Sequence, residues 1–363
     1  MKLKIYTPGD KEEDFAGWFY LEKTHNMDVE LICSKPLYYL LLKLNNHSSF
    51  LRWMRGKLTG KSMKYKKDPS FSFIAKGIFA PFTLLFSKNI LVSFAPYDSK
   101  IWYLAFLKKF NKRLVYDTSW DRWNESYVLK PRFYSKKLWH QFLKDMKAVT
   151  PTKKAKESLQ PYAKDVIAVP HSIDVSVFAP VPKKPSTLKV LYVGRFVKEK
   201  GIEYLLRLAQ DTSLKDVEFC FIGEGALKEM LSEQAKKLPI KVVDYILDKK
   251  ELAKFYQQAD IFILPSYKEG NWEEWFGISL IEAMACGIPV IATDCTGPKE
   301  IIDGKNGILV PQRDYDALKK AFLKLATNPS LRKRMGQYGR NTVLGRYDVK
   351  KNSEKLYEFM FQV

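Results

Sequence analysis

Residues 261–300 decide the fold, and they read IFILPSYKEGNWEEWFGISLIEAMACGIPVIATDCTGPKE. Ile261–Leu264 is a short apolar run of the kind that forms a buried strand, and Pro289–Ala292 is a second one. Between them we expect Ile278–Cys286 to form an apolar helix. A strand, a helix and a strand in this order predict a βαβ unit with parallel strands.

The same alternation extends outward on both sides of this unit. In the second half it predicts further strands at Lys189–Val193, Val217–Ile222, Lys241–Val243 and Ile308–Val310. In the first half it predicts strands at Leu3–Tyr6, Val29–Cys33, Asn89–Phe94, Arg113–Tyr116, Ala148–Thr150 and Val166–Val169. Helical patterns separate the strands, for example at Ile202–Ala209 and Lys249–Gln258. Because the alternation occurs twice in 363 residues, we expect an α/β protein with two Rossmann-like, doubly wound parallel sheets.

The joint between the two sheets is predicted at Pro170–Ser186. Its second part, VPKKPS, has the Pro and Lys content of a solvated connector. We therefore expect an N-terminal domain in residues 1–170 and a C-terminal domain in residues 171–348.

Charge is distributed unevenly along the chain. The net charge is +21, and residues 1–180 carry +15 of it, with 31 basic and 16 acidic side chains. Between Leu31 and Tyr116 there are 16 basic residues and 2 acidic ones. Such a field favours an anionic partner. No helix-turn-helix, zinc or RNA-recognition signature accompanies the charge, so nucleic acid is not the expected partner.

Lys43–Ser70 combines this basic excess with apolar side chains. Phe50, Leu51, Trp53 and Met54 stand among seven Lys and Arg residues, and the stretch FSFIAKGIFAPFTLLFSK follows. Two interpretations stay open. One is an element that lies on an anionic membrane surface, and the other is a solvated basic face above an ordinary helix–sheet core.

Cysteine usage and the N-terminus point to the cytoplasm. No C-x-x-C pair exists, and all four cysteines lie in or beside apolar runs, as expected in a reducing compartment: Cys33, Cys220, Cys286 and Cys295. The first residues contain no stretch of the signal-peptide type. The apolar stretch Gly77–Ser87 is shorter than the roughly 20 residues needed to span a bilayer. We expect a cytoplasmic protein, peripheral to the inner face of the cell membrane under the first of the two interpretations.

Two strand ends in the second half carry candidate ligand-binding residues. Residues 188–201, LKVLYVGRFVKEKG, run from a strand into a loop with Arg195 and Lys200. Ligands of open α/β sheets bind beyond the carboxyl ends of the strands, where a guanidinium and an ammonium suit a phosphate or diphosphate. Gly223 and Glu224, in VEFCFIGEG, fit either a close approach of the backbone to a ligand or a plain tight turn.

The start of the predicted helix Ile278–Cys286 is a candidate anion site. Phe276 and Gly277 open this helix, and the first N–H groups of a helix have no partner within it. Glu274 lies just before the helix, and Glu282 lies on its second turn, roughly 7–8 Å along the axis from Gly277. Carboxylates on both sides of a phosphate site can accept hydrogen bonds from the hydroxyls of two sugars.

At these residues the chain resembles the retaining nucleotide-sugar glycosyltransferases of the GT-B fold, in particular glycosyltransferase family 4. The family's hallmark is two glutamates with seven residues between them, here Glu274-WFGISLI-Glu282-AMACG. From about Val169 to Pro311 other segments are also similar: PHSIDVSVF, GRFVKEKG, FIGEGALKEML, PS-x-x-EG, IPVIATDC-x-GPKEII and GKNGILVP. The resemblance implies two Rossmann-like domains with a cleft between them, with the last helix, Val349–Phe361, returning to the first domain.

The resemblance also implies roles for individual residues. Arg195 and Lys200 would hold the donor diphosphate and stabilise the charge that grows on the leaving group. Glu274 would hold hydroxyls of the transferred sugar, and Glu282 would bind the ribose hydroxyls. The other implied donor-binding positions are Gly17, Gly194, Gly223, Glu224, Ile246 in the loop Tyr245–Leu247, Phe276, Gly277, Ile278 and Ser279.

Gly17, in DFAGW, is the candidate for the glycine of the first loop that approaches the diphosphate, and Gly9 is the alternative. The family works without a metal ion, and the chain has no clustered set of Asp ligands. We therefore expect neither a metal nor a cofactor besides the donor.

The first half departs from the family pattern. Members often carry a catalytic His after a middle strand, whereas this chain has RLVYDTSWDRW, with Ser119 nearest to that position and Asp117 and Asp121 around it. His171 is a further candidate for this polar role in the first domain. Asn271–Glu273 looks like an insertion ahead of the first glutamate, which enlarges the loop that faces the sugar and leaves the donor open.

The expected function is therefore the retaining transfer of a sugar from a nucleoside-diphosphate sugar to an acceptor hydroxyl. The expected acceptor is a lipid-linked or cell-surface glycan precursor. The alternatives are a nucleotide-sugar epimerase or a phosphorylase of the same fold, and a non-catalytic protein that binds anionic membranes. The nucleotide base, the sugar, the linkage and the oligomeric state stay open.

Overall fold

The computed structural model describes residues 1–7, 15–33, 78–94, 98, 100–110, 113–120, 123, 135–182, 187–211, 217–270 and 272–361. The chain forms two compact units, residues 1–169 with 353–363 and residues 170–352. Each unit is built on one six-stranded parallel sheet, so the expected α/β fold with two doubly wound sheets is confirmed. The basic stretch Lys43–Ser70 lies outside the described residues, as do Gly9 and Asp121.

The first sheet has the strand order β2-β1-β3-β4-β5-β6. Its strands are β1 (Lys2–Thr7), β2 (Asp28–Cys33), β3 (Asn89–Val92), β4 (Arg113–Asp117), β5 (Lys147–Thr150) and β6 (Asp165–Ala168). Every neighbouring pair is parallel, and in the first pair Ile5 stands opposite Leu31. The order turns back at β1, which is the switch point of a doubly wound sheet.

Helices cover both faces of this sheet. They are α1 (Ala16–Phe19), α2 (Leu21–His25), α3 (Ala80–Leu85), α4 (Ile101–Lys108), α5 (Lys136–Leu143), α6 (Lys153–Leu159) and the end of α14 (Val349–Phe361). Side chains of α3, α4 and α5 pack with Ile90 and Val92 on one face. Leu91 points to the other face, where it lies in one core with side chains of α1, α2 and α14, among them Leu356 and Met360. This alternation along β3 follows from the two-residue period of a strand.

The second sheet has the order β12-β11-β10-β7-β8-β9 and is parallel throughout. Its strands are β7 (Leu188–Val193), β8 (Val217–Ile222), β9 (Ile240–Val243), β10 (Ile261–Leu264), β11 (Val290–Thr293) and β12 (Gly307–Val310). Its helices are α7 (Ile202–Ala209), α8 (Lys228–Gln234), α9 (Lys249–Gln258), α10 (Ile278–Ala285), α11 (Thr296–Ile301), α12 (Tyr315–Ala326) and α13 (Pro329–Arg346). Every residue of β10 and β11 is buried, as expected for a parallel sheet covered on both faces.

All twelve predicted strands are present, and the differences lie at their ends. The predicted strand Asn89–Phe94 ends at Val92, and beyond it the Phe94 carbonyl accepts a hydrogen bond from the Tyr116 hydroxyl at 2.8 Å. The predicted helix Ile278–Cys286 ends at Ala285. None of the described helices combines the length and the apolar composition that crossing a bilayer requires.

The packing of α13 generates a stability prediction with a control in the same helix. A Cβ added at Gly336 would lie 1.9 Å from the Gly287 carbonyl oxygen, whereas one added at Gly345 meets nothing within 4 Å. Gly336→Ala is therefore expected to lower the free energy of unfolding by about 1–3 kcal/mol. Gly345→Ala is expected to raise it by about 0.5 kcal/mol, since alanine favours the helix. Chemical denaturation measures both, and equal effects would contradict the close approach at Gly336.

Candidate active site

The candidate site lies at the carboxyl ends of β7, β8 and β10 in the second unit. β7 leads into the loop with Arg195, β8 leads into the loop with Glu224, and β10 leads into the loop with Glu274. The carboxyl ends of parallel strands meet at one edge of the sheet, which is where open α/β sheets bind ligands. The predicted basic and acidic residues of the second half are thus brought to one edge.

The loops after β7 and β8 touch each other through glycine. Gly223 has φ +152°, and a Cβ on it would lie 1.9 Å from the Gly194 carbonyl oxygen. The Phe196 N–H also donates to the Glu224 carbonyl at 2.7 Å. Contact between the two loops therefore accounts for glycine at this turn, and the approach of Gly194, Gly223 and Glu224 to a donor stays a prediction.

Lys200 and Glu274 form an ion pair between the loops after β7 and β10. Each side chain is only 12% exposed, so the pair is largely removed from water. The hydroxyl of Ser266 donates to the same Glu274 oxygen at 3.1 Å. The first glutamate of the predicted pair is thus held inward, beside the more buried of the two predicted cations.

Arg195 differs from Lys200 in its exposure. Its side chain is 59% exposed, and its guanidinium lies 3.8 Å from the Glu199 carboxylate. Its backbone carbonyl accepts a hydrogen bond from the buried Tyr192 hydroxyl at 2.8 Å, which fixes the loop while leaving the guanidinium outside. Arg195 is therefore accessible to solvent, as is Lys198 in the same loop, whereas Lys200 is not.

Trp272 joins the two cations, and the sequence analysis did not single it out. The Arg195 guanidinium carbon lies 5.7 Å from its ring centroid, and the Lys200 Nζ lies 5.1 Å away. Both distances allow cation–π attraction. Trp272 exchanges two backbone hydrogen bonds of 3.0 Å with Glu269, which hold the ring's segment in place. The signal for it was the inserted segment Asn271–Glu273, which marks this loop without saying which side chain faces the cations.

Glu273 and Glu274 are neighbours with different roles. The Glu273 carboxylate is buried and accepts hydrogen bonds from the backbone N–H and the hydroxyl of Thr296, at 2.7 and 2.9 Å. It therefore anchors the start of α11, while Glu274 faces Lys200. The spacing to Glu282 singled out Glu274 in the sequence, but no pattern indicated the role of Glu273.

The start of α10 has the predicted geometry. Gly277 is its N-cap with φ +101° and ψ +60°, a left-handed conformation that favours glycine, and no side chain caps the helix. Phe276 is buried beside it, and Ile278 and Ser279 form the first turn. The helix start thus follows Glu274 closely in the sequence. Its N–H groups are suited to an anion.

Glu282 lies inside the second unit, only 3% exposed. One of its oxygens accepts a hydrogen bond from the Tyr256 hydroxyl at 2.8 Å, and the other lies 3.3 Å from the Lys249 Nζ. Burial, and to a lesser degree the Glu282 charge, raise the pKa of Tyr256 well above its usual value, so its hydroxyl stays a donor. Ile246 is buried as well, between the exposed Tyr245 and Leu247.

His171 does not belong to the first unit. It lies in the second one, where its ring contacts Phe276 edge-on with 4.9 Å between centroids. Burial lowers its pKa to about 4, so it is neutral near pH 7. His171 thus follows the start of the second unit at Pro170, and a polar role for it towards the first domain stays a prediction.

The remaining candidates of the first unit are at the end of β4. One Asp117 carboxylate oxygen accepts a hydrogen bond from the Trp18 indole at 3.0 Å, and Ser119 is exposed two residues later.

Gly17 lies within α1 rather than in a loop, and a Cβ on it would lie 2.9 Å from a methyl carbon of Leu356. Gly17 thus lies in a helix rather than in a loop, and its approach to the diphosphate stays a prediction. Among the described residues no group of three or more His, Cys, Asp or Glu side chains is arranged to hold a metal ion.

Comparison with known proteins agrees with this geometry. Residues 177–342 match the family of glycosyl transferases group 1. This match lies within the second unit, which is therefore similar to a glycosyl transferases group 1 domain.

Two curated relatives are similar to part of this chain. An uncharacterized glycosyltransferase of Methanocaldococcus jannaschii is 36% identical over 41% of this chain and 41% of its own length. A GDP-mannose-dependent α-(1-6)-phosphatidylinositol monomannoside mannosyltransferase of Mycolicibacterium smegmatis is 28% identical over 53% of this chain and 55% of its own length. The chain thus spans about half of these relatives.

A solved structure shows the fold outside the group 1 domain as well. Anabaena HepE, solved in complex with UDP-glucose, superposes with a TM-score of 0.66 at 14% identity and covers 100% of both chains. At that identity the likeness concerns the fold alone. The chain has the two-domain α/β GT-B fold.

The environment of His171 predicts a pH dependence of stability. Its pKa of about 4 in the folded protein is below the ordinary value of 6.5, so the unfolded chain binds its proton more readily. The contribution of neutral His171 to the free energy of unfolding is therefore fully present above pH 6.5 and is lost as the pH falls towards 4. The stability difference between wild type and His171→Gln should therefore narrow on acidification through this window. Thermal unfolding at several pH values measures it, and a constant difference would contradict the burial effect.

Proposed function

We propose that this protein is a metal-independent glycosyltransferase that moves a sugar from a nucleoside-diphosphate sugar to an acceptor hydroxyl with retention of configuration. One observation carries the proposal. Two carboxylates, Glu274 and Glu282, are turned into the second unit on either side of the helix start at Gly277, each with a lysine beside it. Paired inward carboxylates around an anion site fit a ligand that has sugars at both ends of a diphosphate.

The proposed donor site divides the ligand among these groups. The diphosphate would be bound by the accessible Arg195, by Lys200 and by the N–H groups at the start of α10. Glu274 would accept hydrogen bonds from hydroxyls of the transferred sugar. Glu282 has lone pairs left beyond its bonds to Tyr256 and Lys249, and it would accept hydrogen bonds from the ribose hydroxyls.

The proposed reaction needs no nucleophile from the protein. The bond between the anomeric carbon and the diphosphate oxygen loosens to an oxocarbenium-like state, as in glycoside hydrolysis. Arg195 and Lys200 stabilise the negative charge that grows on the departing diphosphate. The acceptor oxygen forms the new bond on the same face, and the leaving phosphate oxygen takes the acceptor's proton.

The names of similar proteins support the substrate class. HepE was solved with UDP-glucose, and the Mycolicibacterium smegmatis relative is named for GDP-mannose and for a phosphatidylinositol mannoside acceptor. UDP-glucose and GDP-mannose are both nucleoside-diphosphate sugars, which favours a donor of this class for this protein. They carry different bases, so the base stays open. Together with the net charge of +15 in residues 1–180, the second name favours a lipid-linked or otherwise anionic glycan acceptor at the cytoplasmic membrane face.

The proposal predicts that one nucleoside diphosphate stabilises the protein. Among UDP, GDP and ADP, one should raise the melting temperature, since at about 100 times its Kd a ligand adds about 2.7 kcal/mol to the folded state. Glu282→Gln should reduce this shift because the ribose loses a charged acceptor. Glu218→Gln is the matched control, an exposed glutamate at the start of β8, and should leave the shift unchanged. Failure of all three nucleotides to stabilise the wild type would sink the donor assignment.

The role of Arg195 predicts a specific kinetic effect. Because its partner charge develops in the transition state, Arg195→Ala should lower kcat about 100-fold or more, with a smaller change in KM. Arg207→Ala is the control, since Arg207 packs over the Tyr315 ring 3.7 Å away, at α12. A raised KM with unchanged kcat would contradict the assignment.

Product analysis separates the alternatives. An epimerase would convert the nucleotide-sugar with no acceptor present, and a phosphorylase would require inorganic phosphate. A non-catalytic membrane-binding protein would bind membranes equally well with Glu274→Ala. The proposed transferase should lose turnover in that variant at temperatures where circular dichroism shows it folded, although its melting temperature falls because Lys200 is left unpaired.

A further inference from the structure

Two helices of the first unit turn aromatic side chains outward. These rings are between 47% and 83% exposed and form what we call the aromatic face: Phe79, Phe82, Phe86, Trp102, Phe106 and Phe110. The first three lie along α3 and its ends at helical spacing, and the other three repeat every fourth residue along α4 and just beyond it. Six exposed aromatic rings on two helices form a larger apolar surface than singly exposed hydrophobic residues do.

The fold of the first unit does not require these rings. The inner sides of the same helices are complete, since Ala80 and Leu84 of α3 and Ile101, Leu104 and Leu107 of α4 are buried in the core. The rings of Phe106 and Phe110 contact each other edge-on at 4.9 Å, outside that core. Among the described residues, the aromatic face therefore contributes no side chain to the core of the first unit.

Both helices lie on the same side of the first sheet. Their buried side chains belong to one core with Ile90 and Val92, which point to one face of β3. The outer sides of α3 and α4 therefore both point away from the sheet in the same sense. The six rings therefore lie on the same side of the first sheet.

The sequence that carries the aromatic face is mostly basic, although Asp145, from a later segment, lies 3.4 Å from Lys108. Between Ile78 and Arg113 there are six basic residues and one acidic residue, Asp98. Asp98 is already paired with Lys100 at 3.2 Å. Lys88 follows the exposed Phe86, and Lys109 precedes Phe110, with both lysines exposed.

We propose that the aromatic face docks on the surface of an anionic lipid bilayer. Aromatic rings insert at the level of the headgroups, and lysines beside them are attracted to the negative surface potential. A second copy of this chain fits less well, because its approach would bring like charges together. The docking involves only the first unit and does not depend on the proposed donor chemistry.

Vesicle co-sedimentation tests the proposal with the full-length protein. The wild type should bind vesicles of an equimolar mixture of phosphatidylcholine and phosphatidylglycerol at low salt, and bind phosphatidylcholine vesicles weakly. The combined variant Phe82→Ser, Phe86→Ser, Trp102→Ser and Phe106→Ser should bind the mixed vesicles at least about tenfold more weakly. Tyr338→Ser is the matched control, because Tyr338 is 49% exposed on α13 of the other unit, and it should bind like the wild type.

Charge reversal tests separately whether the lysines beside the rings attract the anionic lipid. Lys88→Glu with Lys109→Glu should remove most of the preference for anionic vesicles, while Lys320→Glu with Lys333→Glu, at exposed positions of the second unit, should not. Equal melting temperatures show that each variant is folded, and an unchanged nucleoside-diphosphate shift shows that the donor site is intact.

Three results would overturn the docking. They are equal binding of the serine variant and the wild type, equal binding of the wild type to neutral and anionic vesicles, and self-association of the wild type without lipid that the serine variant abolishes. The last result would make the aromatic face an interface between copies. Loss of the nucleotide shift with intact vesicle binding would instead count against the proposed function alone.

Discussion

A salt bridge between Lys200 and Glu274 is the contact on which the candidate site depends. Each side chain has lost most of its hydration, so each charge relies on its partner. Removing either one would leave the other buried and unpaired, which costs far more than the loss of an exposed pair. The pair therefore fixes the loop after β7 against the loop after β10 before any ligand arrives.

This constraint leaves the other charges of the edge with distinct environments. Lys200 is already neutralised by a carboxylate, whereas Arg195 reaches solvent with a weaker partner. Trp272 lies against both cations, so Arg195 and Lys200 share one aromatic neighbour. Glu282 is held separately by Tyr256 and Lys249, deeper in the unit. The edge thus combines accessible cations such as Arg195, the buried Lys200–Glu274 pair and the buried carboxylate of Glu282.

The period of apolar residues was sufficient to predict the strands, because buried parallel strands leave continuous apolar runs such as Ile261–Leu264. The spacing of Glu274 and Glu282 likewise predicted two inward carboxylates around a helix start. Contacts distant in sequence were not predictable in this way. Glu273 binds Thr296, and Gly17 packs on Leu356, so their roles depend on segments that no local pattern connects. Trp272 was missed for the same reason.

The last helix has a consequence for the order in which the protein can assemble during synthesis. Leu356 and Met360 belong to the same core as Leu3 and Ile5, at opposite ends of the chain. The N-terminal sheet therefore keeps one face incompletely covered until residues 353–361 have left the ribosome, although its own strands are finished long before. During that interval the uncovered apolar face is a site for chaperones or for aggregation, and the C-terminal unit is the first that can close on its own.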